Sequence, residues 1–173
     1  MPLYEKLIAQ GFDNFESNFI LGLCYEDQPD NEKALKHYQK AVQFKSDNAT
    51  CLFHLALIEK AFNMDSLSMA HFNQSLEVSL PKGRALRTYK WLADLHFQHH
   101  RYADAARDFE LCTLYDEEDN PLNYYNAAQM FIASKNKLKA KLYLQMFLAN
   151  ANRLEDKKEA AQLISKAKEQ LKQ

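Results

Sequence analysis

Glycine and proline are scarce in this chain, three and four of 173 residues. That excludes a collagen-like chain and disfavours turn-rich β architectures. The three glycines, Gly11, Gly22 and Gly83, stand alone. A phosphate-cradling loop needs several at fixed spacing so that backbone N–H groups can approach the ligand, so nucleotide binding of that type is not expected. Cysteine is sparse too. Cys24, Cys51 and Cys112 are far apart, form no CxxC and leave an odd thiol, which fits small buried thiols in a reducing compartment. Apolar runs extend only a few residues, too short to span a bilayer. The opening Met1-Pro2-Leu3-Tyr4-Glu5-Lys6 lacks a basic leader with a long apolar stretch. A cytoplasmic location is expected. Charge of one sign is also lacking. Lys and Arg number 22 against 23 Asp and Glu, a net of −1, so no global field recruits nucleic acid or anionic membrane.

What is present is helical periodicity. Apolar residues make up 47% of the chain, enough for a core, and they fall at i, i+3 and i+4 almost throughout. Breakers interrupt them regularly, at Pro29-Asp30-Asn31, Ser46-Asp47-Asn48, Asn63-Met64-Asp65-Ser66, Pro81-Lys82-Gly83, residues 116–121 and Lys135-Asn136. The segments between are three to four turns long, and they repeat. A small residue in one helix (Gly22, Ala56, Ala93, Ala128) recurs at shifts of 34, 37 and 35 residues. A second small residue opens the next helix (Ala34, Ser68, Ala105, Ala140), and a bulky one follows four later (Tyr38, Phe72, Phe109, Leu144). Small residues on facing helices permit close approach, and the bulky one fills the space between.

The pattern resembles the tetratricopeptide repeat, a helix–turn–helix unit of about 34 residues. The first repeat is the closest match, with Leu21-Gly22-x-x-Tyr25, Ala34 and Tyr38-Gln39-Lys40-Ala41-Val42. The resemblance implies an all-α fold, a right-handed superhelix of antiparallel helix pairs. Its repeats span 15–48, 49–82, 83–119 and 120–153, after an N-terminal half-repeat helix in 1–14 and before a capping helix in 154–173. Either the domain opens on a half-repeat, or the chain is cut from a longer solenoid. There are departures. The proline that usually ends each unit is absent. Glu59 stands where an aromatic belongs, and Phe147 where a small residue belongs, which sets the last helix further out. Three extra residues near Gly83-Arg84-Ala85 imply a longer loop or a longer first helix. Ala160, Ile164, Ala167 and Leu171 form an apolar stripe on the last helix, with Lys157, Lys158, Lys166, Lys168 and Lys172 in water, as a solvating end cap requires.

Sites for chemistry are weak. No G-x-S-x-G occurs, and no cysteine sits in a nucleophile motif. His96 and His100 share i, i+4 spacing with His99 beside them, as zinc ligands can, but His96 occupies the aromatic core slot of its repeat. Residues 116–119 are acidic without calcium-loop spacing and read as a solvated loop before Pro121. No enzyme activity, metal or cofactor is expected.

In the family, first helices line a concave groove. The resemblance places Phe19, Leu23, Phe53, His54, Leu57, Lys90, Trp91, Phe97, Tyr125 and Asn126 on it. That set is unusually apolar, and a large exposed apolar patch is disfavoured without a partner. The implied function is a protein–protein interaction scaffold that holds an apolar peptide or amphipathic helix. The basic and Asn residues with which some family members clamp carboxylates are not matched. Counted from the first repeat, Phe19, Leu23, His54 and Trp91 stand in their places, and only Arg87 agrees. The rival reading is a chaperone of a secreted or membrane-inserting protein, resembling bacterial chaperones of type III translocators. Tyr4 and Leu7, uncovered on the half-repeat, make a homo-oligomer a further expectation.

Overall fold

The computed structural model describes residues 2–172. Ten α-helices and one 3-10 turn, and no strand, occur among the described residues. They are α1 (Pro2–Ala9), α2 (Phe15–Asp27), α3 (Asn31–Phe44), α4 (Ala49–Ala61), α5 (Asp65–Val78), α6 (Lys82–Gln98), α7 (Tyr102–Tyr115), α8 (Pro121–Ala133), α9 (Lys137–Asn150) and α10 (Lys157–Gln170). The 3-10 turn Ala151–Arg153 precedes α10. The helices form antiparallel pairs, α2 with α3, α4 with α5, α6 with α7 and α8 with α9. The chain divides into two compact units, one through Leu80 and one from Pro81.

Local chemistry sets the helix ends. Asn14 opens α2 with a capping box: its side chain accepts from the Ser17 N–H at 3.0 Å, and the Ser17 hydroxyl accepts from the Asn14 N–H at 3.2 Å. Asp30, Asn48, Asn136 and Asp156 cap α3, α4, α9 and α10 in the same sense, satisfying amides that have no intrahelical partner. First helices stop by a shared device. Asn63, His100 and Lys135 take left-handed φ of 56°, 58° and 61°. The next N–H then reaches back to the carbonyl of Glu59, His96 or Phe131 at 2.8–2.9 Å, the Schellman arrangement. The extra residues of the third repeat are accommodated in α6, which is 17 residues long and begins at Lys82.

The small and bulky pattern forms the interior. In unit 1, Leu21, Ala34, Tyr38, Ala41 and Leu55 are fully buried. In unit 2, Ala127, Ala128, Ala140, Leu144 and Phe147 form the core of the α8–α9 pair. Phe147 is accommodated there, its ring 5.0 Å from Tyr125.

Each hairpin also carries a cross-helix side-chain pair at the equivalent position, twelve residues apart. In α2–α3 the Tyr25 and His37 rings stack at 5.5 Å. In α8–α9 Phe131 meets Tyr143 at 5.4 Å. The middle hairpins replace one aromatic of the pair with a carboxylate and keep a histidine opposite it. Buried Glu59 meets His71 Nδ1 at 2.7 Å, and His96 Nδ1 meets Asp108 at 2.6 Å. The irregular Glu59 and His96 are thus half of a compensated pair.

Helix α1 is covered more than expected. Tyr4 and Ile8 pack on the unit 1 core, Leu7 is half-buried, and Glu5 accepts a hydrogen bond from the Tyr25 hydroxyl. Among the described residues near this end, Leu3 and Phe12 are exposed large apolar side chains. The acidic stretch 116–119 ties α8 in place. Asp116 accepts from the Asn123 amide at 2.5 Å, and Asp119 binds Arg153 at 2.6 Å.

Candidate partner-binding faces

In unit 1 the first helices α2 and α4 carry five of the expected contact residues. Phe19, Leu23, His54 and Leu57 are half-buried. Phe19 belongs to an aromatic cluster: it stacks on Phe15 at 5.5 Å and lies 6.2 Å from Tyr38 and 6.4 Å from His54. Beside it sits a carboxylate, Glu26. Glu26 Oε2 accepts from the Tyr38 hydroxyl at 2.5 Å and lies 2.9 Å from His54 Nδ1. Burial works to raise the Glu26 carboxyl. Hydrogen bonds from His54 and Tyr38 outweigh it and hold the group below its usual range. Burial, followed by Glu26, pushes the Tyr38 hydroxyl well above its usual value, so it remains a donor. The face therefore combines aromatic rings with one fixed anion.

Phe53 departs from the expectation. It is 1% exposed and packs on Phe72 at 6.0 Å. It is a core residue of the α4–α5 pair.

In unit 2, α6 presents Lys90, Trp91 and Phe97 outward. Trp91 is 36% exposed and Phe97 48%, with Phe97 lying 6.0 Å from the Tyr102 ring. Asp94 accepts from Gln98 at 3.1 Å on the same helix. On α8, Asn126 is half-buried, whereas Tyr125 is buried against Phe147. Tyr125 is thus the second expected contact residue that proves to be core. Its hydroxyl is buried and finds no hydrogen-bond partner among the described residues. An unsatisfied buried hydroxyl costs stability, so Tyr125→Phe should raise the unfolding free energy by about 1 kcal/mol. Urea denaturation checks this.

The remaining sequence candidates are structural. His96 is committed to Asp108, and His100 Nδ1 lies 3.0 Å from the Tyr102 hydroxyl. Among the described residues no group of three His, Cys, Asp or Glu is arranged to hold a metal ion. Cys51 and Cys112 are buried thiols, each pushed up to about 12 by desolvation. No described helix is long and apolar enough to cross a membrane.

Solved structures share this arrangement of paired helices. The crystal structure of MamA superposes with a TM-score of 0.69 at 14% identity, covering 87% of this chain and 85% of that one. YrrB, a TPR protein with an unusual peptide-binding site, gives 0.68 at 12% identity, with 96% and 91% covered. The fold is that of the tetratricopeptide repeat. PilF of Pseudomonas aeruginosa, at TM-score 0.66 and 15% identity, covers 97% of this chain with 76% of its own. No family model and no curated protein matches the sequence. The first helices of its hairpins are α2, α4, α6 and α8.

Proposed function

We propose that this chain is a non-enzymatic adaptor that binds a partner polypeptide on its first-helix faces, gripping an extended peptide or amphipathic helix by apolar anchors. The observation that carries this reading is the exposure of Trp91 and Phe97 together on α6. Two large aromatics left partly in water are costly to a chain that never covers them, and aromatic anchors dominate the energy of such contacts. In unit 1, Phe19, Leu23, His54 and Leu57 offer a half-covered apolar surface beside the Glu26 anion. The likeness to YrrB, with its peptide-binding site, supports the same reading. The three unpaired thiols suit a reducing, cytoplasmic setting. Leu3 and Phe12 on the half-repeat are the surface through which copies would associate, and light scattering across concentrations addresses that arm.

The test uses peptides selected on the wild-type protein from a random displayed library. Trp91→Ala should weaken their binding by about 1–4 kcal/mol, read by calorimetry, with far-ultraviolet circular dichroism unchanged. Equal affinity for both proteins would remove the α6 face from the account.

A further inference from the structure

Charge is divided unevenly along the chain although its sum is near zero. From Pro121 onward there are ten Lys and Arg against four Asp and Glu, and before it twelve against nineteen. The stretch 121–153, which holds α8 and α9, contains no carboxylate side chain. It contains Lys135, Lys137, Lys139 and Lys141 within seven residues. Lys139 is used internally, with its Nζ 2.8 and 2.9 Å from the two oxygens of Glu110. Among the described residues Lys135, Lys137 and Lys141 make no ion pair or side-chain hydrogen bond.

All three line one cleft of about 440 Å³ within unit 2, where the α8–α9 turn faces the C-terminal end of α10. Its floor is apolar, formed by Ile132, Ala140, Leu144 and Leu171. The α10 wall is fixed, because Gln170 and Gln129 exchange two hydrogen bonds of 3.0 Å. Three ammonium groups around one apolar concavity repel each other, and the low-dielectric walls concentrate their field. A ligand that brings carboxylates to the rim and an apolar side chain to the floor answers both features.

We propose that this cleft is a docking site for an acidic peptide segment, which inserts an apolar side chain between Ile132 and Leu171 and sets its carboxylates against Lys135, Lys137 and Lys141. The site overlaps the first-helix faces only at Ile132 and does not depend on Trp91. Among the described residues no aromatic lines it, so it lacks the stacking platform that single-stranded nucleic acid uses.

The test is calorimetry at low salt with the unlabelled peptide Glu-Asp-Leu-Glu-Asp-Leu-Glu-Asp. Wild type should bind it, and affinity should fall as salt is added. Lys135→Glu with Lys141→Glu should weaken binding at least tenfold, and the milder Lys137→Gln with Lys141→Gln about threefold by partial loss of the same field. The lysines are solvent-exposed, so both variants should keep the wild-type melting profile. Trp91→Ala should bind within twofold of wild type, which separates this site from the α6 face. Chemical-shift changes should cluster at Ile132, Leu144 and Leu171. The proposal is overturned by absence of binding, by equal binding to the charge-reversed variant, or by equal binding of peptides with Lys for the acids or Ser for the leucines. Displacement of the peptide by a single-stranded RNA at lower concentration overturns it in favour of nucleic acid. Self-association of wild type that the charge reversal abolishes, without peptide binding, overturns it in favour of a second copy.

Discussion

Gly22→Ala is expected to destabilise the protein by about 2 kcal/mol, although alanine is the better helix former by about 1 kcal/mol. A methyl carbon at this position would lie 2.5 Å from Cε1 and 2.6 Å from Cδ1 of Tyr38. The ring has little freedom to retreat, being fully buried with its hydroxyl held by Glu26 at 2.5 Å. Overpacking of this kind typically costs about 1–3 kcal/mol, and here it meets a tethered ring. The repeats themselves supply the rescue. The fourth hairpin places Ala128 in the equivalent slot with Leu144 as its bulky partner. Gly22→Ala combined with Tyr38→Leu should therefore show favourable coupling, losing less than the two single costs added together. Urea denaturation of the four proteins in the cycle measures it, and strict additivity would mean that the clash is relieved elsewhere.

His96→Ala should cost about 3 kcal/mol at neutral pH, because it strips Asp108 of its partner while leaving the carboxylate buried. The pH dependence carries a definite sign. Burial raises the Asp108 carboxyl above its ordinary value, and the His96 hydrogen bond only partly offsets this. Removing His96 removes that offset, so the folded-state value rises further. A carboxyl raised in the folded state binds its proton more tightly there than in the unfolded chain. Its contribution therefore grows as pH falls through the folded value towards the ordinary 3.8. The deficit of His96→Ala should accordingly shrink on acidification. His96→Phe with Asp108→Tyr copies the Phe131–Tyr143 pair of the fourth hairpin. It should return to within about 1 kcal/mol of wild type, since replacing both members of a buried hydrogen-bonded pair by well-packed groups of similar shape is often nearly neutral. Denaturant midpoints at several pH values test both statements.

These pairs explain how much was legible in one sequence. Small and bulky residues at fixed spacing report helix-to-helix distance directly, so the hairpins of α2–α3 through α8–α9 can be read from Gly22, Ala34, Tyr38 and their counterparts. Glu59 is a departure only within its own helix; its compensation, His71, lies twelve residues on across the turn. The faces were harder. The position three before the small residue lies at the border between solvent and the hairpin interior, and neighbouring side chains decide which side wins. Lys90 turns outward there and Phe19 is half-covered, whereas Phe53 and Tyr125 turn onto Phe72 and Phe147. The contacts of Glu26 are not legible in sequence, because a carboxylate on a helix face gives no sign of them until Tyr38 and His54 are brought to it. The lysine cleft is equally silent in sequence, since only the fold separates Lys139, bound to Glu110, from its three neighbours.

The adaptor reading depends most on whether a bound polypeptide meets α6 at Trp91. Trp91 is the sole tryptophan of the chain and is 36% exposed, so intrinsic fluorescence watches that position alone. Titration with a library-selected peptide free of tryptophan should shift the emission to shorter wavelength, saturating at the affinity found by calorimetry. Binding heat accompanied by an unchanged emission spectrum would contradict the account.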